Sequence, residues 1–401
     1  MNAVIVGSGL AGTIAAKTLR ELDPQVGIEI LGEERHPYYP RPNLIEYLAG
    51  RLARERIFAF PEGWAEKQGI VLRLGAAAAR IHSAERTVET AEGASVPYDV
   101  LLLATGARPL RPPIAGSDKK GVFVMRTLDD TEALIGLLRE GRRAVVLGGG
   151  LLGLEIARAL RGRGPEVRVV EFFDRLLPRQ LDAAAAAILK GQIERSGIVV
   201  QLGAVAKEVL GEESVRSLRF ESGEEVGADA VVIAAGIAPE IGLAKDAGLK
   251  VGRGIVVDDR MRTSADGIFA AGDAAEHAGR NYGIIPAAFE QARVAAHNML
   301  GLDMPYAGTV PYNTLKVAGL YVTSAGNILG EGPGFESIVR SDPGTGLYKK
   351  IVLQEGRLVG AIWMGTKKGA PEIGRLVALK KDVERWKEDL LGETFDFGEI
   401  S

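Results

Sequence analysis

The apolar positions of the chain fall into short continuous runs, and segments with a helical pattern separate these runs. Short apolar runs rich in valine, isoleucine and leucine are typical of strands that are buried on both faces of a parallel sheet. They lie at 3–6, 28–31, 100–104, 144–147, 167–170, 230–234 and 267–270. The alternation of such strands with helices predicts an α/β fold.

One strand-loop-helix pattern occurs twice in the chain. Runs 3–6 and 144–147 each lead into a Gly-x-Gly-x-x-Gly loop that opens a helix. In such a loop the first glycine makes a tight turn, the second lets the backbone approach a pyrophosphate, and the third lets helix and strand pack closely. The predicted loop residues are Gly7, Gly9, Leu10, Ala11 and Gly12 in the first copy, and Gly148, Gly150, Leu151, Leu152 and Gly153 in the second. Two copies predict two Rossmann-like nucleotide-binding units.

An acidic residue after the second strand of each unit is the expected partner of an adenosine ribose. In the second unit Glu171 follows the run 167–170 directly, and its carboxylate favours NADH because it repels a 2′-phosphate. Three nearby arginines keep an NADPH preference open: Arg168, Arg175 and Arg179. In the first unit Glu33 is the predicted ribose partner, with Glu34 as the substitute.

Charge and composition exclude several classes of protein and several kinds of site. The 401 residues carry a formal net charge of -3, which is not the basic balance of a nucleic-acid binder. No apolar run approaches the roughly 20 residues that cross a bilayer, and the first residues lack a signal-peptide pattern, so we expect a soluble, cytoplasmic protein without membrane partners. The cysteine count is zero, which excludes disulfides, a cysteine-held metal or iron–sulfur site and a redox thiol within these residues. The four histidines have no metal-ligand spacing, and no metal is predicted.

The motifs in combination resemble the FAD-dependent pyridine-nucleotide oxidoreductases. The resemblance rests on both glycine loops, on Ala104-Thr105-Gly106, on Glu155 in the second helix and on Gly272-Asp273 after the run 267–270. Within that family, the segment 37–44 is similar to NADH:rubredoxin oxidoreductases and to the flavin module of assimilatory nitrite reductase. Relatives that reduce ferredoxin usually continue with Ser-Lys, where this chain has Ile45-Glu46.

The resemblance implies a domain order. Two domains of the glutathione-reductase type would bind FAD (residues 1–108 and 236–303) and NAD (residues 109–235), and a small α+β C-terminal interface domain would span 304–401. Strand-like runs at 320–324, 337–340, 348–353 and 358–363 agree with that last domain, and a charged amphipathic segment follows at 375–391. The proline-rich segment 108–113 is interpreted as a crossover linker.

The family pattern also assigns roles to single residues. For FAD it implies Arg41 at the pyrophosphate, Ala78 at the adenine through its backbone, Asp273 at the ribityl hydroxyls, and a helix opening around Pro286 and Ala287 that points its amides at the flavin. Further residues of the FAD and NAD turns are Ala104, Thr105, Gly106, Gly272 and Gly236. Glu155 would lie near the nicotinamide, or serve only as an acid favoured by the helix dipole in an N-terminal turn. No catalytic acid or base is assigned.

Without a thiol in the chain, electrons from NADH would pass through FAD directly to an acceptor. We expect an electron-carrier protein, with rubredoxin as the best fit. A basic segment is a candidate docking patch for an acidic carrier: Arg35, His36, Arg41, Arg51, Arg54 and Arg56, with Lys367 and Lys368. Two alternatives stay open, a flavin module that feeds a separate siroheme or iron–sulfur partner, and a non-catalytic FAD- and NADH-binding redox sensor. The chain is expected to be a monomer or a homodimer.

Overall fold

The computed structural model describes residues 1–138, 141–309, 313–317 and 319–400, and for 313–317 it describes the backbone alone. The strands in chain order are β1 (Asn2–Val6), β2 (Gly27–Gly32), β3 (Ile70–Leu74), β4 (Ala78–His82), β5 (Thr87–Thr90), β6 (Ser95–Pro97), β7 (Val100–Leu103), β8 (Ala107–Pro109), β9 (Val122–Val124), β10 (Arg143–Leu147), β11 (Glu166–Val170), β12 (Ile198–Gln201), β13 (Ala206–Leu210), β14 (Ser217–Phe220), β15 (Glu225–Gly227), β16 (Ala230–Ile233), β17 (Ile237–Pro239), β18 (Ile255–Val257), β19 (Ile268–Ala270), β20 (Ala275–His277), β21 (Asn313–Val317), β22 (Leu320–Gly326), β23 (Phe335–Asp342), β24 (Leu347–Gln354) and β25 (Arg357–Met364). The α-helices are α1 (Leu10–Leu22), α2 (Pro42–Leu48), α3 (Trp64–Lys67), α4 (Leu128–Leu137), α5 (Leu151–Arg161), α6 (Ala183–Arg195), α7 (Gly242–Asp246), α8 (Ile285–Met299) and α9 (Ala370–Ala378).

Two five-stranded parallel sheets carry the two glycine loops. The first has the order β19-β7-β1-β2-β3, and the second has the order β12-β11-β10-β16-β9. In both sheets the strand before the glycine loop lies in the centre, with the next strand of the unit beside it. This matches the seven predicted strands and places both loops at the carboxyl ends of central strands, where α/β sheets bind ligands.

The first sheet takes strands from both ends of the chain. Strand β19 pairs with β7 and comes more than a hundred residues after it, because the second sheet is inserted between them. The two connections between the sheets run side by side, since β8 and β17 pair in antiparallel fashion. Part of the predicted linker 108–113 is therefore a strand.

A segment of the first unit packs into the core of the second. Tyr39, Leu44, Ile45, Leu48 and Ile57 are buried among residues of α4, α5 and the second sheet. The guanidinium of Arg163, just beyond α5, donates hydrogen bonds to the carbonyl oxygens of Leu48 and Tyr47 at the end of α2. The domain limits predicted from the sequence assign this segment to the FAD domain, and they stay a prediction.

The third sheet is antiparallel, with the order β21-β22-β25-β24-β23, and α9 packs on it. It is tied to the second unit at Asp182, which caps α6 by accepting the Ala185 N–H. The Asp182 carboxylate also accepts hydrogen bonds from Tyr348 Oη at 2.8 Å and from Lys350 Nζ at 3.0 Å. Burial alone would raise the pKa of Asp182, but the hydrogen bonds from these three donors outweigh burial and lower that pKa. The ion pair therefore holds the C-terminal sheet against α6.

Two helix boundaries differ in detail from the sequence pattern. The helix expected to open around Pro286 and Ala287 begins slightly earlier, at Ile285, and Pro286 occupies one of its first two positions, where its missing N–H costs no hydrogen bond. The charged segment 375–391 is not one helix, since α9 ends at Ala378 and a 3₁₀ turn follows at Glu384–Trp386. Within the described ranges, no helix is both long enough and apolar enough to cross a membrane.

Candidate functional site

The two glycine loops have the same geometry. Gly7 and Gly148 take φ values of +112° and +119°, which favour glycine. A Cβ on either would lie within 2.4 Å of the carbonyl oxygen of the residue that directly follows the neighbouring strand, β7 or β16. A Cβ on Gly12 or Gly153 would lie 1.9 Å from the carbonyl oxygen of the first glycine of its own loop. The first and third glycines are therefore required by the packing of the loop itself.

The middle glycine of each loop differs from the first and third glycines in the space around it. A Cβ on Gly9 or Gly150 would meet no atom within 4 Å, although both residues stand at the N-terminus of a helix. Their φ values of -75° and -78° are ordinary for any residue. The open space over each is a cradle that a side chain would fill, and it lies at a helix N-terminus, where the first N–H groups have no acceptor within the helix. This is the arrangement that binds a pyrophosphate.

The acidic residue of the second unit lies beside its glycine loop. Glu171 follows β11, its side chain is buried, and its carboxylate accepts the N–H of Gly149 at 2.5 Å and that of Phe173 at 2.9 Å. Two of the three nearby arginines have other partners, since Arg168 donates to Gln201 and Arg175 pairs with Asp174. The surroundings of Glu171 thus favour the unphosphorylated ribose of NADH.

In the first unit the two candidate acids have different surroundings. Glu33 is exposed and follows β2 directly, which is the position that Glu171 has after β11. The carboxylate of Glu34 is instead bonded within the protein, to Arg41 Nη2 at 2.6 Å and to Tyr39 Oη. This geometry favours Glu33 over Glu34 as the ribose partner, and the assignment stays a prediction.

Charged side chains from three distant segments meet beside the first loop. Asp273 follows Gly272 after β19, and its carboxylate lies 3.9 Å from Arg126 Nη2. Arg41 Nη1 donates to the carbonyl oxygen of Arg126 at 2.5 Å. Burial raises the pKa of Asp273, and the two arginines oppose that rise. Burial, followed by the charge of Arg41, lowers the pKa of Arg126. The cluster offers two cations for phosphates and one carboxylate for hydroxyls.

Two members of this arrangement were not predicted. Arg126 lies between β9 and α4 in the second unit, and its guanidinium is 3.7 Å from the position that a Cβ on Gly106 would take. Tyr39 is 4% exposed, and its hydroxyl accepts hydrogen bonds from the N–H of Leu128 and from Arg41. Tyr39 does belong to the segment 37–44 that suggested the resemblance, so a signal for it was present, whereas nothing local marked Arg126.

The other predicted FAD residues lie around the first sheet. Ala104, Thr105 and Gly106 form the turn after β7, and the Thr105 hydroxyl donates to the carbonyl oxygen of Glu240. Gly272 donates its N–H to Gln291 Oε1 in α8 at 2.9 Å. Pro286 and Ala287 open α8, which packs along α1, and Ala78 begins β4.

On the NAD side, Gly236 forms the turn after β16 with φ +104°. The hydrogen bonds that Arg51 donates to Glu46 raise the pKa of Arg51, and the charge of Glu155, in the second turn of α5, adds to that rise. Since α2 and α5 pack together, Glu155 lies at the boundary between the two units.

Half of the eight residues of the predicted basic patch are paired with carboxylates. Four of its members form ion pairs with carboxylates: His36 with Asp129, Arg41 with Glu34, Arg51 with Glu46 and Arg54 with Glu132. Lys367 lies over the ring of Tyr321 at 4.5 Å. The net positive charge on this surface is therefore smaller than the sequence indicates.

Comparison with known proteins decides the family. Residues 1–296 match the model of the pyridine nucleotide-disulphide oxidoreductases, and residues 311–381 match the rubredoxin NAD+ reductase C-terminal domain. The chain belongs to the pyridine nucleotide-disulphide oxidoreductase family. Family membership confirms the predicted fold class and the predicted cofactors, FAD and NADH. The open cradles at Gly9 and Gly150 and the cluster around Asp273 fit these two dinucleotides.

Individual members of the family are similar over most of this chain. It is 37% identical to the nitrite reductase [NAD(P)H] of Bacillus subtilis (strain 168), over 95% of this chain and 47% of that protein. It is 35% identical to the rubredoxin-NAD(+) reductase of Pseudomonas putida, over 76% of this chain and 81% of that protein. The chain spans about half the length of the nitrite reductase, and half or less of the next three curated relatives.

Among solved structures, the covalent putidaredoxin reductase-putidaredoxin complex superimposes with a TM-score of 0.90. The identity is 27%, and the match covers 100% of this chain and 97% of that one. The matches to the rubredoxin NAD+ reductase C-terminal domain, to the nitrite reductase and to the rubredoxin-NAD(+) reductase confirm the expected resemblance to the rubredoxin reductase and nitrite reductase group of the family.

Proposed function

We propose that the chain transfers electrons from NADH through FAD to a one-electron carrier protein, and that this carrier is rubredoxin. The observation that carries the proposal is the absence of cysteine from all 401 residues of a chain that has both dinucleotide cradles. No thiol within these residues is available as the next acceptor, so the electrons leave to a group outside them. The match of 311–381 and the similarity to a rubredoxin-NAD(+) reductase support rubredoxin.

The residues of the chain bind and orient the two cofactors. FAD supplies the chemistry when bound, because it accepts two electrons as a hydride and releases them one at a time. In the first unit the amides at Gly9, with Arg41 and Arg126, would hold the FAD pyrophosphate, and Asp273 would accept hydrogen bonds from the ribityl hydroxyls. In the second unit Gly150 would hold the NADH pyrophosphate.

The contact between the units has a role in this proposal. Hydride transfer needs close alignment of the two rings and the exclusion of water, and it needs no acid or base from the protein. The α2 to α5 contact, fixed by Arg163, sets how the two units meet. Glu155 lies at that boundary, and we propose that it neighbours the nicotinamide.

A second acceptor is supported by the comparisons. The chain is similar along 95% of its length to a nitrite reductase and along 97% to an assimilatory nitrate reductase electron transfer subunit, both from Bacillus subtilis (strain 168). A module that feeds a separate siroheme or iron–sulfur partner would retain every feature described above. The carrier's identity, a monomeric or dimeric state and a cytoplasmic location belong to the proposal.

An anaerobic acceptor screen tests the proposal. The FAD-loaded chain is mixed with excess NADH, and the rates of reduction of rubredoxin, a ferredoxin and a siroheme nitrite reductase partner are measured under identical conditions. We expect rubredoxin to be reduced with many turnovers, at the highest kcat/KM of the three. A higher value for the nitrite reductase partner would select the alternative module.

The same screen separates an enzyme from a sensor. An artificial one-electron acceptor such as ferricyanide is added as a fourth arm, because it needs no specific docking surface. Multiple turnovers with ferricyanide are expected. A flavin that NADH does not bleach, with no turnover on any acceptor, would refute the enzyme and favour a redox sensor.

A further inference from the structure

The third sheet has a free edge at β23 (Phe335–Asp342). This strand pairs with β24 along its whole length, and in the described parts of the chain no other strand pairs with it. Six of its eight residues are exposed, among them Val339 at 48%. A free edge offers a row of N–H and C=O groups to a strand of another molecule.

Strand β23 is open to pairing. Proline, bulges and very short strands block pairing at natural sheet edges, and charged side chains restrict it. This strand is eight residues long, contains no proline and pairs with β24 without a bulge. Its charged side chains therefore decide which strand can pair with it.

The hydrogen bonds to β24 determine which residues of β23 face the free edge. Just before β23, the carbonyl oxygen of Gly334 accepts the N–H of Glu355 at 3.2 Å, so these two residues form a hydrogen-bonded pair of the antiparallel ladder. Such pairs alternate with pairs that are not bonded, so the even-numbered residues of β23 bond to β24. The odd-numbered residues direct their N–H and C=O groups away from the sheet.

The free edge is complementary to itself in one register. Two copies of β23 can run antiparallel about a two-fold axis that passes through Ile338. Ser337 of one copy then lies opposite Val339 of the other, and Phe335 lies opposite Ser341. These are the four residues of each copy that face outward, so every free N–H and C=O of the edge finds a partner.

The charges select the same register. Glu336 then lies directly opposite Arg340 of the second copy, on the face where Ile338 meets its own equivalent, and opposite charges in such a pair stabilise a sheet. Glu336 also binds Lys387, and Arg340 donates to the carbonyl oxygen of Leu391, yet 48% of each of these two side chains stays exposed. We propose that two copies of the chain pair along β23 in this register and form a dimer with one continuous sheet.

The size of the contact predicts a reversible dimer. A single pair of eight-residue strands belongs to the small interfaces, below about 1,200 Å² in total, that are typical of transient complexes. Monomer and dimer therefore exchange, and the dimer fraction rises with protein concentration. Reversal of one charge turns both opposite-charge pairs of the dimer into like-charge pairs, because the two-fold axis repeats each pair. The dissociation constant of the dimer should then rise about fivefold or more.

Charge reversal followed by mixing tests the inference. Sedimentation equilibrium of the FAD-loaded chain, over a series of concentrations, gives the dissociation constant of the dimer. The samples are wild type, Glu336→Arg, Arg340→Glu and an equimolar mixture of these two variants. The matched controls are Glu92→Arg and Arg253→Glu, since both residues are exposed and lie in the first unit, away from β23.

We expect wild type and controls to dimerise equally, and each edge variant alone to dimerise at least fivefold more weakly. The mixture should regain wild-type association, because the arginines of one variant then face the glutamates of the other. A defect in folding would not be cured by mixing. A wild type that stays monomeric, a dimer that neither variant weakens, or a mixture that associates no better than its components would overturn the inference. The measurement uses neither NADH nor a carrier, so it is independent of the proposed function.

Discussion

The difference between the middle and third glycines of the second loop gives a quantitative prediction. In Gly150→Ala the new methyl group would lie in open space, on a backbone with φ -78° and ψ -179° that alanine adopts freely. In Gly153→Ala it would lie 1.9 Å from the Gly148 carbonyl oxygen, a backbone atom that cannot rotate away. The same added group should therefore impair ligand binding at one site and folding at the other.

The magnitudes follow from the cost of overpacking, which is about 1–3 kcal/mol. In Gly150→Ala this cost arises only when the NADH pyrophosphate is bound, so the dissociation constant for NAD+ should rise about 5- to 100-fold while the melting temperature stays within about 1–2 °C of wild type. In Gly153→Ala the cost is present in the folded protein itself, and the melting temperature should fall by roughly 3–10 °C.

Thermal melts followed by tryptophan fluorescence and titrations with NAD+ measure both effects. The FAD content of each purified variant serves as the internal control, because both substitutions lie outside the first unit. If Gly150→Ala melted as early as Gly153→Ala, or bound NAD+ with wild-type affinity, the assignment of the open cradle to the pyrophosphate would be wrong.

Three further substitutions test other parts of the site. Glu171→Gln removes the charge that repels a 2′-phosphate, and the ratio of kcat/KM for NADPH to that for NADH should rise by about tenfold or more in steady-state assays; an unchanged ratio would contradict the role of Glu171. Asp273→Asn should weaken FAD binding in titrations of the FAD-free protein. Asp273→Asn should also raise the melting temperature of the FAD-free protein near pH 7, because burial raises the pKa of Asp273 and so disfavours its charged form. This gain should vanish below the ordinary carboxyl pKa, because the wild-type group is then neutral in both the folded and the unfolded protein. Tyr39→Phe leaves the Leu128 N–H without its acceptor, which costs about 1–3 kcal/mol, and an unaltered melting temperature would show that the junction between the units does not depend on this hydroxyl.

The sequence predicted those parts of the molecule that are encoded locally. The strands and both glycine loops could be found because a buried parallel strand is a short apolar run, and because a tight turn at Gly7 or Gly148 needs a positive φ. The place of Glu171 beside its glycine loop could be expected from its distance along the chain, since strand and helix lengths are similar in all such units.

Contacts between distant segments could not be predicted in this way. Arg126 meets Asp273 only because the first and second units pack together, and no pattern near either residue encodes that approach. The same holds for the ion pair of Lys350 with Asp182, which joins the third sheet to α6. The pairing within the basic segment could not be predicted for a related reason, because the carboxylates that bind His36 and Arg54 lie far along the chain, in α4.

An anaerobic reductive titration tests the central claim, that NADH delivers its electrons to FAD and that no thiol of this chain takes part. NADH is added stepwise to the FAD-loaded chain, and flavin absorbance is recorded at each addition. We predict complete bleaching at about one NADH per FAD, since one hydride carries the two electrons that the flavin accepts. The endpoint should be unchanged after treatment with a thiol-alkylating reagent, because the 401 residues contain no cysteine. A flavin that stays oxidised, or an endpoint near two NADH per FAD, would contradict the account.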